Sequence, residues 1–187
     1  MKPVLMMPDF ERAAAALVCE VAAIRAVCEV EAPKGGFLSD DRPTILFERH
    51  KFSQFTAGAF DAAHPDISNR RPGGYVGGAG EHERMARAAA LNRDAALMAA
   101  SWGRFQLMGF NHGLCGHVRL QDFINAMYAG EPQQLDGFVS FIKSQAGLLR
   151  AIRARDWAGF ARLYNGVDYA RNAYDVKMAA AYRRLAG

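Results

Sequence analysis

The sequence predicts a mainly α-helical protein with one small β element. Apolar residues recur at helical spacing through most of the 187 residues, and helix-start and helix-stop residues bound those segments. Residues 43–50, PTILFERH, are instead rich in β-forming residues and follow the turn-like SDDRP, so a short strand or hairpin is expected there. Residues 61–80 contain two prolines and five glycines, which predicts a long polar loop.

Helices are predicted on both sides of these two regions. The first runs from Phe10 to about Val30, either unbroken or interrupted near Val18, and Asp9 is expected to cap it. It stops at the helix-breaking run APKGG. Later helices are predicted at residues 81–100, 120–129, 132–153, 156–164 and 174–185, and Asp156 is expected to cap the helix at 156–164.

The composition, 51% hydrophobic and 22% charged, is typical of a globular domain, so one domain over residues 1–187 is expected. No run approaches the ~20 apolar residues of a membrane span, and MKPVLMMPDF is too short for a secretory signal. We therefore expect a cytoplasmic protein without stable membrane insertion. The net charge of +4 favours a polyanionic partner, either nucleic acid or bacterial wall material. Lysine and arginine are scattered and no nucleic-acid-binding motif stands out, which argues against nucleic acid.

The three cysteines, Cys19, Cys28 and Cys115, are too few and too irregularly spaced for a disulfide framework. Cys115 lies between His112 and His117 in NHGLCGH, where a metal can be imagined. Three potential ligands without a fourth are weak support for such a site. We therefore predict no metal and no cofactor.

Glu31 is the residue that the helical pattern singles out. An apolar stripe on the first helix continues in a step of three to Glu31, whereas Glu29 lies about 200° away and should face water. A carboxyl at the apolar end of a helix loses solvation of its charged form, so its pKa should rise and keep it protonated, as a proton donor requires. The alternative is a helix-end glutamate that turns out to solvent. The stripe consists of Leu17, Val21, Ile24 and Cys28.

Two further segments carry candidate sugar-binding residues. In SWGRFQ, Ser101 and Gln106 can donate hydrogen bonds to sugar hydroxyls or amides, and Gly103 permits close backbone approach. The alternative is a helix cap with core aromatics. In LYNG, Tyr164 and Asn165 end a helix, and the alternative there is an ordinary Asn-Gly stop.

Taken together, these three features resemble the lysozyme superfamily, especially goose-type lysozymes and soluble lytic transglycosylases. The chain is more closely similar to the N-acetylmuramidase domain of phage and prophage endolysins. The similarity runs over roughly residues 9–186, through AAIRAVCEVEAPKGGFL, RPTILFERHKF, HPDISNRRPGGY, RAAALNRDAALMAASWGRFQLMGFN and FARLYNGVDYARNAYDVKMAAAY. It implies a lysozyme-like α+β fold with a small β-hairpin beside the active-site cleft. It also implies hydrolysis of the β-1,4 bond between N-acetylmuramic acid and N-acetylglucosamine.

By this resemblance Glu31 is the general acid, and Glu48 is the leading second carboxylate because lysozymes place their second acid in a strand after the catalytic helix. Strand alternation places Leu46, Glu48 and His50 on one face. Glu48 can instead pair with Arg49 or His50 in a structural role. Weaker candidates for the second carboxylate are Asp61 and Asp66.

The other expected residues surround this pair of carboxylates. Tyr164 is expected to orient Glu31 or to contact the sugar, and Asn165 to hold the backbone. A glycine-rich part of the long loop is expected to close over the glycan. Its glycines are Gly73, Gly74, Gly77 and Gly78.

Two other functions stay open on the sequence alone: a lytic transglycosylase that forms a 1,6-anhydro product, and a non-catalytic helical module that binds cell wall or nucleic acid. The preferred interpretation is a monomeric peptidoglycan hydrolase without a separate peptidoglycan-binding domain. Its partner is the glycan strand of bacterial peptidoglycan. The resemblance implies release from the host cytoplasm to the periplasm and cell wall through holin pores.

Overall fold

The computed structural model describes residues 1–31, 35–166, 170 and 172–187, in which α-helices surround a small antiparallel sheet. The helices are α1 (Met7–Leu17), α2 (Val21–Glu31), α3 (Arg49–Phe55), α4 (Ala79–Leu91), α5 (Arg93–Met98), α6 (Leu120–Ala129), α7 (Glu131–Ser144), α8 (Ala146–Ala154), α9 (Trp157–Asn165) and α10 (Tyr174–Ala186). The strands are β1 (Ile45–Phe47), β2 (Ala100–Trp102) and β3 (Leu107–Met108), and a short 3₁₀ helix, Gly109–Asn111, follows β3. The predicted mainly α fold with a small β-hairpin is confirmed.

The first predicted helix is interrupted at Val18, one of the two arrangements that the sequence left open. Val18 adopts a left-handed conformation with φ of 53°, which ends α1 and redirects the chain into α2. The predicted cap was wrong by three residues, because Met6 is the N-cap and Asp9 lies inside the first turn. From there Asp9 accepts a hydrogen bond from the Met6 backbone N–H at 2.9 Å.

The strand expected within residues 43–50 is confirmed as β1, but its partner is remote. β1 pairs with β2, and the hairpin is formed by β2 and β3, which a turn over residues 103–106 connects. The SWGRFQ segment therefore follows α5 as a strand and a turn rather than as a helix cap. Its aromatic residues are core residues, as the alternative interpretation proposed, since Trp102 and Phe105 are each 1% exposed.

Single-residue breaks divide two helices that the pattern predicted as continuous. Asn92 separates α4 from α5, and its side chain accepts a hydrogen bond from Ala95 N–H at 3.0 Å. Gln145 separates α7 from α8 with an extended backbone, ψ of 94°. The predicted capping of α9 by Asp156 is confirmed, since its carboxylate accepts from Gly159 N–H at 2.9 Å.

Helix α2 packs against α1 and α10, while α7 packs against α1, α6 and α8. Each fully buried Phe, Leu or Ile side chain contributes about 1.5–3 kcal/mol, so this core fixes the positions of the helix ends that form the site. Within the described ranges no helix is both long and apolar enough to cross a lipid bilayer. The largest fully buried side chains include Trp102, Phe47, Phe52, Phe105, Phe123, Phe138 and Phe160.

Candidate active site

Glu31 is the last residue of α2, and its carboxyl is largely withdrawn from water. Burial raises the pKa of Glu31, and the hydrogen bond that its Oε1 accepts from Asn165 Nδ2 at 2.9 Å offsets only part of that rise. Glu29, two residues earlier, is exposed and paired with Arg184. The predicted contrast between the two glutamates is confirmed, and so is the predicted direction of the Glu31 pKa.

Tyr164 lies beside Glu31 and connects α9 to the turn of the hairpin. Its hydroxyl donates to the backbone carbonyl of Phe105 at 2.6 Å, and its ring stacks on Phe160 at 5.7 Å between centroids. Burial, and then the nearby negative charge of Glu31, raise the pKa of Tyr164 well above its ordinary value. The tyrosine is therefore a neutral donor whose position is fixed by its ring contacts.

A hydrogen bond between the side chains of Ser101 and Gln106 joins the two ends of the hairpin turn. Ser101 Oγ donates to Gln106 Oε1 at 2.7 Å, and Gln106 Nε2 donates to Gly103 O at 2.9 Å. Gln106 has φ of 49°, a left-handed conformation that costs free energy for a non-glycine residue. Sugar contacts by these two side chains stay a prediction, and the contacts in the structure are intramolecular.

Two polar residues of α7, which were not predicted as site residues from the sequence, bind this turn. Glu131 is 3% exposed; its Oε1 accepts from Gly36 N–H at 2.7 Å and lies 3.0 Å from Arg104 Nη1. Gln134 accepts from Arg104 N–H at 2.7 Å, and a Cβ on Gly103 would lie 2.5 Å from the Gln134 carboxamide carbon. Gln134 and the positive φ of 68° thus favour glycine at 103, whereas close approach of a sugar to this backbone stays a prediction.

Glu48 lies where β1 passes into α3; Tyr75 binds its carboxylate, and His50 lies next to it without a hydrogen bond. Tyr75 donates its hydroxyl to Glu48 Oε2 at 2.8 Å, and His50 Nδ1 lies 3.1 Å from the same oxygen. The alternative of a contact with His50 is therefore found, whereas Arg49 binds backbone carbonyls, including that of Arg71 at 3.0 Å.

The sheet register brings Glu48 to the same side as the hairpin residues. Ile45 and Phe47 are buried, so Leu46 and Glu48 point to the other face of β1. Leu46 lies directly opposite Ser101 in the pairing of β1 with β2, and residues opposite each other share a face. Leu46, Glu48 and Ser101 therefore point to one face of the sheet.

The weaker carboxylate candidates are occupied by other partners. Asp61 accepts from Ser68 Oγ at 2.6 Å and from Ser53 Oγ at 3.0 Å, and these hydrogen bonds lower its pKa. Asp66 pairs with Arg87 at 2.6 Å, which lowers the pKa of Asp66. We therefore do not propose either as the second carboxylate.

The structure does not support a metal site formed by His112, Cys115 and His117. His112 Nδ1 is bonded to the backbone carbonyl of His117 at 2.9 Å, and burial raises the pKa of the Cys115 thiol to about 12. Among residues 1–31, 35–166, 170 and 172–187, no three His, Cys, Asp or Glu side chains are grouped so that they could hold a metal ion. The cysteines in the described ranges are free thiols.

A helical fold with a small sheet and a shielded glutamate at a helix end defines a lysozyme-like protein. The N-acetylmuramidase family model matches residues 20–186, and the chain belongs to that family. The structure is similar to the crystal structure of a Burkholderia AP3 phage endolysin, with a TM-score of 0.93 and 43% sequence identity. The match covers 98% of this chain and 71% of the endolysin chain. No functionally curated sequence matches significantly. The protein is a peptidoglycan hydrolase with a lysozyme-like fold.

Proposed function

We propose that this muramidase cleaves the β-1,4 bond between N-acetylmuramic acid and N-acetylglucosamine with Glu31 as its general acid. The observation that carries the proposal is the shielded carboxyl of Glu31, whose only hydrogen-bond donor among the described residues is the neutral amide of Asn165. A carboxyl that stays protonated towards neutral pH can donate its proton to the leaving glycosidic oxygen. Asn165 fixes the direction in which that carboxyl points.

We further propose Glu48 as the second carboxylate. Breaking the glycosidic bond develops positive charge on the sugar, which a carboxylate stabilises, attacks or supplies with an activated water. Glu48 shares a sheet face with Ser101, and Ser101 is bonded to Gln106 in the turn whose Phe105 carbonyl accepts from Tyr164. This series of contacts connects the Glu48 side of the site to the Glu31 side.

The acid assignment is tested by Glu31→Gln, which keeps the shape of the side chain and removes its transferable proton. General acid catalysis contributes about 10²–10⁴-fold, so peptidoglycan lysis should fall by at least about 100-fold. Glu29→Gln is the matched control, because it changes the same residue type on the same helix at an exposed position, and it should lyse at the wild-type rate. Full activity of folded Glu31→Gln protein would remove the assignment.

Mass spectrometry of the fragments released from purified peptidoglycan tests the reaction type. Hydrolysis adds water and leaves a reducing muramic acid end. A lytic transglycosylase would release a 1,6-anhydro end lighter by one water, and finding that product would replace the muramidase proposal. The same assay with Glu48→Gln tests the second carboxylate, since an unchanged rate in a normally folded variant would return Glu48 to a structural role.

We also propose that the chain is a single catalytic domain that acts as a monomer on the cell wall after release from the host cytoplasm. The similarity to a phage endolysin supports this site of action. Expression in the cytoplasm of a host with and without a membrane pore-forming protein tests it. Lysis that is equally fast without the pore would contradict pore-dependent release.

A further inference from the structure

The glycine-rich loop that follows Pro72 places one aromatic side chain against Glu48. Tyr75 lies in RPGGYVGG, and its residue surface is 46% exposed. Nevertheless its hydroxyl donates to Glu48 Oε2 at 2.8 Å. An exposed tyrosine side chain can adopt several rotamers, so this contact persists only if the loop backbone is itself held in place.

Arg49 holds the loop on the N-terminal side of Tyr75. Its Nε donates to Arg71 O at 3.0 Å and its Nη2 to Pro72 O at 3.1 Å. Gly74 has φ of 77°, and a Cβ added there would lie 3.2 Å from Arg49 Nη1. The guanidinium and the glycine backbone therefore pack closely, directly before Tyr75.

Glu81 holds the loop on the other side. This carboxylate is 0% exposed and accepts from Val76 N–H at 2.7 Å and from Gly77 N–H at 3.0 Å. It also accepts from Phe47 N–H at 3.0 Å, in the strand residue that directly precedes Glu48. The same side chain thus connects the backbone after Tyr75 to the backbone before Glu48.

We propose that Tyr75 is a positioning residue for Glu48 and that the loop is a fixed wall of the site rather than a closing flap. This inference rests on the proposed role of Glu48 as the second carboxylate. The Tyr75 hydroxyl occupies Oε2, so Oε1 is the atom presented to the sugar or to the attacking water. Within the described part of the chain, Glu48 Oε1 accepts no hydrogen bond, as expected if Oε1 is the atom that acts on the sugar or the water.

The test is Tyr75→Phe, which removes only the hydroxyl from a side chain whose ring stays in place. A hydrogen bond to a charged group orients that group, and its loss should lower kcat by about tenfold. KM for soluble glycan oligomers should stay within about twofold, because Tyr75 acts through Glu48. Tyr128→Phe is the matched control, since Tyr128 packs on Trp102 and its hydroxyl makes no hydrogen bond within the described residues; its kcat should be that of the wild type.

A double-mutant cycle separates positioning from a general structural effect. In a Glu48→Gln background, Tyr75→Phe should change kcat no further, because the carboxylate that it orients is gone. An equal fall in both backgrounds would overturn the inference, and so would wild-type kcat in Tyr75→Phe while Glu48→Gln is strongly impaired. If Glu48→Gln itself keeps full activity, the proposed second carboxylate fails, and the positioning role falls with it.

Discussion

Replacing Glu81 by glutamine should destabilise the protein far more than a surface charge change would. Glu81 Oε1 accepts from two loop N–H groups, and Oε2 accepts from Phe47 N–H and from Arg84 Nη1 at 2.8 Å. A glutamine side chain replaces one of these oxygens by an NH₂ group, which is itself a donor. Whichever way the amide is oriented, two donors lose their acceptor.

The magnitude follows from these contacts. Each buried donor left unsatisfied costs about 1–3 kcal/mol, which gives ~2–6 kcal/mol for two of them. Removing one partner of a buried ion pair costs about 3–5 kcal/mol, and Arg84 is 6% exposed. We therefore expect a loss of ~3–5 kcal/mol. For a domain of this size, that loss lowers Tm by roughly 6–20 °C.

The assay is thermal unfolding followed by circular dichroism as a function of pH. Burial alone would raise the pKa of Glu81, but hydrogen bonds from Gly77, Val76 and Phe47 and the charge of Arg84 lower it overall. A lowered folded-state pKa contributes stability above the ordinary value of 4.5, and that stability is lost as the pH falls through the folded-state pKa. The Tm gap between wild type and variant should therefore be widest near neutral pH and narrow as the pH falls below the ordinary value of 4.5.

Glu83→Gln is the matched control, because Glu83 lies on the same helix and is exposed. Its Tm should stay within about 2 °C of the wild-type value. The reasoning would be refuted by a Glu81→Gln variant as stable as this control. A Tm gap that is the same at neutral and acid pH would also refute it, because the effect would then not depend on ionised Glu81.

Two further measurements address the Glu31 side of the site. Tyr164→Phe leaves the Phe105 carbonyl without its 2.6 Å donor, so we expect a loss of about 1–2 kcal/mol in unfolding free energy together with reduced lysis; unchanged Tm and lysis would contradict the role of this contact. Glu31→Gln should be more stable than wild type at neutral pH and equally stable below pH 4.5. The raised folded-state pKa makes the wild type lose stability as the pH rises through it, and a wild type that is more stable than the variant at neutral pH would contradict this.

Local features of the fold were predictable because short-range chemistry decides them. The break at Val18, the cap by Asp156 and the helix end at Glu31 all lie within a few residues of their cause. The stripe along α2 also separated Glu29 from Glu31, because helical periodicity relates the two faces directly. These features were sufficient to place the candidate acid.

Long-range features were not predictable from the same patterns. β1 pairs with a strand more than 50 residues later, and no local periodicity in the sequence indicates which residues pair. The breaks at Asn92 and Gln145 each consume a single residue, so the apolar pattern continues almost undisturbed across them. The SWGRFQ segment was consequently identified by its residue types, but no strand or hairpin was predicted for it.

Two of the missed residues, Glu81 and Glu131, are buried carboxylates that look like ordinary surface charges in the sequence. Glu81 and Glu131 lie in the first turns of amphipathic helices, where acidic residues usually face water. Their burial is tolerable only because other segments supply donors. Glu81 accepts from Val76 and Gly77 in the preceding loop and from the remote Phe47, and Glu131 accepts from the remote Gly36 and Leu5. A single sequence shows the acid but not the donors.

The contrast between Glu81 and Glu31 strengthens the assignment of the acid. Both carboxyls are withdrawn from water, yet their pKa values shift in opposite directions. Glu81 receives three backbone N–H groups and an arginine, which stabilise the charged form, whereas Glu31 receives one neutral amide among the described residues. The fold can thus satisfy a buried carboxylate completely where the carboxylate is structural. At the end of α2 it leaves the charged form poorly stabilised, which is the condition under which a glutamate holds a proton ready for transfer.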